Sequence, residues 1–468
     1  MIKSAEIYYR EHCYPIRGQR FPKFGMEARN RESNMKFPGQ RKSKHYFPVA
    51  NRDPILEQLT QVVQPKRTYI CGIDQTLVDI EAKVADELLT RYQLPKGNST
   101  LIDDESAHAL YQEIKQQALI SDEFAGGTIG NTVHNYSILA DDRSVLFGVM
   151  SKNIEVGSYA YRYLCNTSSK VDLNHLEPVN GPIGRCFTLI SDGGERTFAI
   201  SKGSMDKLTP EFINKDIVQN SSALVITAYL MRASGEDQMT QAALQAIEYA
   251  KQADVPVVLT LGTRFLIEED PQWWQQFIED HVTILAMNED EGEALTGLSD
   301  PLLASEAALE WCDMVLTTAG PLGLYTAGYT QETEKRQTSH TLLPGAIPEF
   351  NRYEFSRPQR KSDCEEPIKV YAHISPFMGG PEKIRNTNGA GDGALAALLH
   401  DLAANTYHKS NIPSSSKHKS DGLCYSSFSQ ICKYANRVAF EVLAQHSPRL
   451  SRALPEREDS LEESYWER

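Results

Sequence analysis

The run Asn386-Thr387-Asn388-Gly389-Ala390-Gly391-Asp392-Gly393 carries the clearest chemistry in the chain. Gly389, Ala390 and Gly391 leave backbone N–H groups uncovered just before the apolar pattern Ala394-Leu395-Ala396-Ala397-Leu398-Leu399. A helix starting there would point free N–H groups and its positive dipole end at an anion. Asp392, in the first turn, could take a proton from an alcohol held beside that anion. An anion cradle with an adjacent base is what phosphoryl transfer to a hydroxyl requires.

Other clusters supply the remaining parts. Gly72-Ile73-Asp74-Gln75-Thr76-Leu77-Val78-Asp79 lies near the end of the first expected strand, where a carboxylate such as Asp79 can accept hydrogen bonds from two vicinal hydroxyls at once. Asp74 is a second candidate. Gly126-Gly127-Thr128-Ile129-Gly130-Asn131 pairs close backbone approach with an amide. Asn288-Glu289-Asp290-Glu291, at the end of strand 282–287, opens a helix with acids that its dipole favours. Thr317-Thr318-Ala319-Gly320-Pro321-Leu322-Gly323 reads as a turn between strands 314–318 and 323–327. Tyr434-Ala435-Asn436 sits on the last amphipathic helix, and Arg232 follows a strand end, where it could grip a phosphate.

These motifs need a scaffold that brings them to one edge. Strand-like runs at 69–73, 77–80, 145–150, 223–227, 255–261, 282–287 and 314–318 alternate with helical patterns at 104–119, 128–140, 238–253, 271–280 and from 288. Such alternation implies an α/β fold with a mostly parallel sheet covered on both faces, and ligands at the strands' carboxyl ends. Gly184–Ser191 and Glu195–Ser201, joined through Asp192-Gly193-Gly194, read instead as a β-hairpin, a candidate lid. Residues 1–34 are aperiodic and read as an N-terminal extension or an early start. The domain is expected over 35–454, with insertions near 328–366 and 405–424, and an acidic tail over 455–468.

Composition narrows the class. The 468 residues are 41% hydrophobic and 24% charged, and the net charge of −14 argues against binding nucleic acid or an anionic membrane. Eight cysteines without a Cys-x-x-Cys pair suit a reducing cytoplasm. No apolar run reaches membrane-spanning length.

Taken in order, the five motifs and the lid resemble the ribokinase-like (PfkB) sugar and nucleoside kinases from about Met35 to the C-terminus. The resemblance implies a ribokinase-like sheet with a small β lid. It also implies ATP and Mg²⁺ as cofactors, a monovalent cation left open, a cytoplasmic location, and a homo-oligomer, with a dimer expected. It makes Asp392 the base and Gly389, Ala390 and Gly391 the anion hole. Asp79, Asp74, Gly126, Gly127 and Asn131 become substrate-binding, and Arg232, from its place after a strand end, is a further candidate on the substrate or product phosphate. Thr318, Gly320, Gly323 and Asn436 would bind ATP, and Asn288 and Glu291 the metal. The implied reaction is phosphorylation of a purine nucleoside, inosine or guanosine, at its 5′-hydroxyl. A kinase of adenosine, ribose or another sugar is the alternative, and a non-catalytic nucleoside sensor is a third. One departure stands out: the family's usual Asp-Thr is Asn386-Thr387 here.

Overall fold

The computed structural model describes residues 67–231 and 237–454, all within the compact unit Ser43–Arg468. The strand Ile70–Ile73 is fully buried, which suits a parallel strand covered on both faces. It lies inside a ten-stranded sheet, between Ser144–Ser151 and Leu224–Thr227 and parallel to both. Val257–Thr260, Ile284–Asn288 and Met314–Thr318 follow, each parallel to its predecessor. Leu324–Gln331 and Pro367–Ile374 then complete that side as antiparallel strands.

Two hydrophobic clusters hold helices to the two faces. One gathers apolar residues of the helices Thr128–Ala140, Ala390–Asn411 and Phe428–Leu443. The other gathers those of Gln238–Gln252 and Pro271–His281. The result is the α/β architecture expected from strand–helix alternation, with its cleft at the carboxyl edge of the parallel strands.

The lid is larger than a hairpin. Five strands form a second sheet in the order Ser99–Leu101, Arg196–Ser201, Gly184–Ile190, Leu77–Lys83, Ile120–Ala125. Leu77–Lys83 and Arg196–Ser201 alternate between buried and partly open positions, the mark of a sheet with one packed face. Leu77, Asp79, Cys186, Thr188, Phe198 and Ile200 look into the cleft. Asp79 therefore belongs to the lid sheet and not to the end of the first central strand. The crossover at Asp74–Thr76 is pinned by the Thr76 hydroxyl donating to Val149 O (2.5 Å) and by Gly184 N donating to Thr76 O (3.0 Å).

Two expected insertions also differ. The strand Leu324–Gln331 runs into the first, and the edge strand Pro367–Ile374 follows it. The second begins late, because the helix from Ala390 continues to Asn411. Asn405, Tyr407 and His408 are buried there. Asn405 Nδ2 donates to Gly422 O (2.6 Å), and His408 Nδ1 meets His418 Nε2 (2.7 Å), so these polar side chains are satisfied from within the fold.

Candidate active site

A cleft of 1010 Å³ lies between the lid and the carboxyl edge of the central sheet. Its acceptor side is built around the start of the helix Thr128–Ala140. The N-cap position is Gly127, which has no side chain to offer, and Asp74 substitutes from a distant loop. Asp74 Oδ2 accepts from Gly130 N (2.6 Å), and Oδ1 accepts from Gln75 N (2.9 Å). Both oxygens of this buried carboxylate are thus committed to backbone. Asp74 and Asp79 both line the cleft, and Asp79 accepts a hydrogen bond from the Cys186 thiol. Gly126 is glycine because of close packing: a Cβ there would run into the Asp79 carboxylate and the Leu77 side chain.

Asp392 occupies the first turn of the helix Ala390–Asn411. Gly389 caps that helix at φ 81°, a left-handed conformation that suits glycine, and Pro448 packs where its Cβ would be. Gly391 differs: a Cβ there would meet nothing within 4 Å, so its missing side chain keeps the cleft floor open. Gly389, Gly391 and Asp392 all line the cleft. Asn386 Nδ2 donates to His446 O (2.6 Å), while its Oδ1 accepts from Asn388 N (2.8 Å). An aspartate could not make the first of these bonds, so the departure from Asp-Thr fastens the motif to the chain's C-terminal stretch.

Asn131 joins the two sides, its Nδ2 donating to Asp392 Oδ2 (3.0 Å). Its Oδ1 accepts from Nε of Arg449 (2.9 Å), a residue that sequence reading missed. Arg449 is 4% exposed and lies over the Tyr163 ring. No spacing marks it, since it is one arginine in a polar stretch after the last helix. A second omission is Arg196, at the start of a lid strand. Its Nη1 donates to the Thr387 hydroxyl (2.9 Å) and to Asn388 Oδ1 (3.0 Å), tying the lid to the anion motif. The turn at Asp192-Gly193-Gly194 marks the lid but not this contact.

The donor side is organised differently. Asn288 and Glu291 form a reciprocal capping box at the helix Glu289–Thr296. Asn288 Oδ1 accepts from Glu291 N (2.8 Å), Glu291 Oε2 accepts from Asn288 N (2.9 Å), and Asn288 Nδ2 donates to Glu291 Oε1 (3.0 Å). Both residues still line the cleft, as does Thr318. Gly320–Leu322 is a single 3₁₀ turn ending at Gly323, where φ is 102°. Asn436 does not line the cleft wall. It clamps the neighbouring loop, donating to Ser375 O (2.7 Å) and accepting from Phe377 N (3.3 Å). Arg232 lies outside the described residues.

Burial sets the electrostatics. Desolvation lifts Asp74 and Asp392 to about 7 and Asp79 to about 6. The Arg449 charge opposes the rise at all three. Burial likewise lifts Glu291 to about 7, with Asp290, Asp392 and Glu289 adding repulsion. Such a group of acids is one a divalent cation would relieve. The donors around it are oxygens, which fits Mg²⁺. Among the described residues no group of three or more His, Cys, Asp or Glu side chains converges on a metal position. A cation here would keep waters and phosphate oxygens as ligands, as Mg²⁺ does.

Comparison with known proteins agrees with this arrangement. Residues 159–341 match the model of the pfkB family carbohydrate kinases. The guanosine-inosine kinase of Escherichia coli K12 is 67% identical over 434 residues, covering 93% of this chain and all of that protein. An adenosine kinase of Saccharomyces cerevisiae is 25% identical over 229 residues, 47% of this chain and 63% of the relative. Among solved structures, a probable sugar kinase from Rhizobium etli superposes with a TM-score of 0.61 at 18% identity, covering 83% of this chain and 96% of that one. An adenosine kinase from Sinorhizobium meliloti gives 0.59 at 20% identity, covering 83% and 97%. The last two establish the ribokinase-like fold.

Proposed function

The chain belongs to the pfkB family of carbohydrate kinases, and on that premise we propose that it transfers the γ-phosphoryl group of ATP to the 5′-hydroxyl of guanosine or inosine. The products are GMP or IMP and ADP. The observation that carries the chemistry is Asp392, held by Asn131 at an open helix start across one cleft from Asp79. The choice of nucleoside rests on the 67% identical guanosine-inosine kinase.

In this reading Asp79 accepts hydrogen bonds from the ribose 2′ and 3′ hydroxyls and fixes the sugar. Gly127, which lines the cleft, brings bare backbone close to the sugar, and Gly126 makes room for the Asp79 carboxylate. Asp392 takes the 5′-hydroxyl proton as the oxygen attacks the γ-phosphorus. The bond to the β,γ-bridging oxygen breaks, and ADP leaves with that electron pair. N–H groups of Gly389, Ala390 and Gly391 receive the charge that builds on the transferring group. Thr318 and the Gly320–Gly323 turn border the ATP phosphates, and Asn436 shapes the neighbouring loop. Mg²⁺, held near Asn288 and Glu291 through its waters, would offset phosphate charge. The lid sheet, latched by Arg196, excludes water that would otherwise compete as acceptor. Asp74 acts as a helix cap in the sugar floor rather than as a ligand.

A cytoplasmic location and a dimeric assembly belong to the same proposal. The location draws on the seven described cysteines, none of which forms a disulfide. Among the described residues, no helix is long and apolar enough to cross a membrane.

The test is a panel assay. The full chain with MgATP is offered guanosine, inosine, adenosine and ribose, and products are resolved by chromatography. Guanosine and inosine should yield their 5′-monophosphates. Faster turnover of adenosine or ribose would shift the reading to another substrate, and tight binding without product would leave a sensor.

A further inference from the structure

Arg449 lies below the sugar floor, and the reaction described above gives it no role. Its guanidinium nevertheless makes four hydrogen bonds with its five N–H donors. Nε donates to Asn131 Oδ1 (2.9 Å), and Nη2 to Gly126 O (3.1 Å). Nη1 donates to the Thr167 hydroxyl (2.6 Å) and to Asn166 O (3.3 Å). Those partners lie more than 280 positions away in sequence. A surface arginine that happened to fold inward would not find four acceptors matched to its fork.

The chemistry of the pair with Asn131 is directional. Arginine has only donors, whereas an asparagine amide has one accepting and one donating end. Arg449 therefore dictates which end of Asn131 faces it: the oxygen. The NH₂ end is left pointing at Asp392, where an ionised carboxylate accepts it. Rotated by 180°, the amide would set its oxygen against the carboxylate, an arrangement that demands a proton on Asp392.

The surroundings make that proton costly to function. Asp74, Asp79 and Asp392 converge on this region from three different segments, and Glu291 adds its charge toward Asp392. Tyr163 and His134 also face Arg449, and Cys186 faces Asp79. Arg449 is the cation that favours the ionised form of all three aspartates.

We propose that Arg449 is a positioning residue for the transfer, fixing the Asn131 amide so that it donates to Asp392 and keeps that carboxylate ionised and aimed at the acceptor hydroxyl. The inference rests on Asp392 being the base. Arg449 touches neither substrate nor nucleotide; it acts through Asn131 and through its charge.

The experiment compares Arg449→Met and Arg449→Lys with wild type in pH profiles of kcat/KM for inosine, alongside melting temperatures. In Arg449→Met the acid limb should move up by about one pH unit or more, about a tenfold loss below the limb. The deficit should shrink at high pH and on adding guanidinium ion. Arg449→Lys keeps a cation and a donor, so its limb should stay near that of wild type. A folded Arg449→Met whose activity falls equally at every pH would overturn the proposal and leave a purely structural arginine. If Arg449→Met does not fold, wild-type protein labelled with ¹⁵N-arginine decides. The Arg449 Nε–H resonance, identified by its loss in Arg449→Lys, should shift at the midpoint of the acid limb and stop shifting in Asp392→Asn. A resonance insensitive to pH refutes the coupling. Full activity in Asp392→Asn would instead remove the base itself, which separates failure of that reading from failure of this one.

Discussion

The two halves of the cleft satisfy their polar groups in different ways. On the acceptor side, charged side chains bond to one another and to distant backbone: Arg449 to Asn131, Asn131 to Asp392, Asp74 to Gly130. On the donor side, Asn288 and Glu291 cap their own helix and Asn436 clamps its own loop. The difference follows the ligands. A nucleoside is neutral, so the protein must supply the charge that grips and activates it. ATP brings its own charge and cation, so backbone dipoles and room suffice. The acceptor half is thus preorganised by side chains, and the donor half is completed by what binds.

That division can be broken by substitutions confined to one half. Among effects on binding, the largest should come from Asp79→Ala, which removes the charged partner proposed for the ribose diol. Two lost hydrogen bonds to a charged group predict a rise of about 10²-fold or more in nucleoside KM, with ATP KM little changed. Wild type should also discriminate against 2′,3′-dideoxyinosine. Equal weakening of both substrates would erase the distinction between the halves.

Next come the two glycines of the anion motif. Gly391→Ala adds a methyl to open space, so the melting temperature should hold while turnover drops by about 10². Gly389→Ala forces a side chain into a left-handed conformation against Pro448, and should cost stability of about 1–3 kcal/mol. If Gly391→Ala keeps full turnover, the open floor is not where the phosphoryl group passes.

A smaller, graded effect is expected from pH. The base must be ionised, and desolvation lifts Asp392 to about 7. The kcat/KM profile should therefore fall by about tenfold per unit as pH drops below that value. A profile flat from 5 to 8 would contradict the buried base. The smallest effect belongs to Asn436→Ala, which loses two loop bonds: about 1 kcal/mol of stability, with ATP KM raised a few-fold and nucleoside KM unmoved.

Much of the scaffold was legible in the sequence because its signals are local. Strand–helix alternation marked the central sheet, and the glycine runs at 126–127 and 389–391 marked the two helix starts. What escaped is non-local. Asp79 sits on the lid because Leu77–Lys83 pairs with Gly184–Ile190, a parallel pairing across about a hundred residues that no turn announces. The helix past residue 405 read as loop because its polar side chains find partners only after folding. Arg449 has no motif at all; its meaning comes from four acceptors assembled by tertiary structure. Asn288 and Glu291 were read from a motif, and their capping box shows that one pair can be structural and still face the cleft.

The central claim is that Asp392, half-buried at the cleft floor, is a base and not a structural acid, and kcat with thermal unfolding of Asp392→Asn tests it most directly. Asparagine is nearly isosteric and can still accept from Asn131. The account predicts a loss of about 10²–10⁴ in kcat for inosine phosphorylation, with nucleoside Kd nearly unchanged. It also predicts the sign of the stability change. Burial raises the proton affinity of Asp392, so ionising it costs the folded protein stability as pH rises from about 4 to about 7, and the cost is complete above that. At pH 8 the Asp392→Asn protein should melt no lower than wild type, and its relative stability should improve from about pH 5 to about pH 7 and then level off. A variant that melts well below wild type at pH 8 while keeping more than about a tenth of wild-type kcat, against that expected range, would contradict the account.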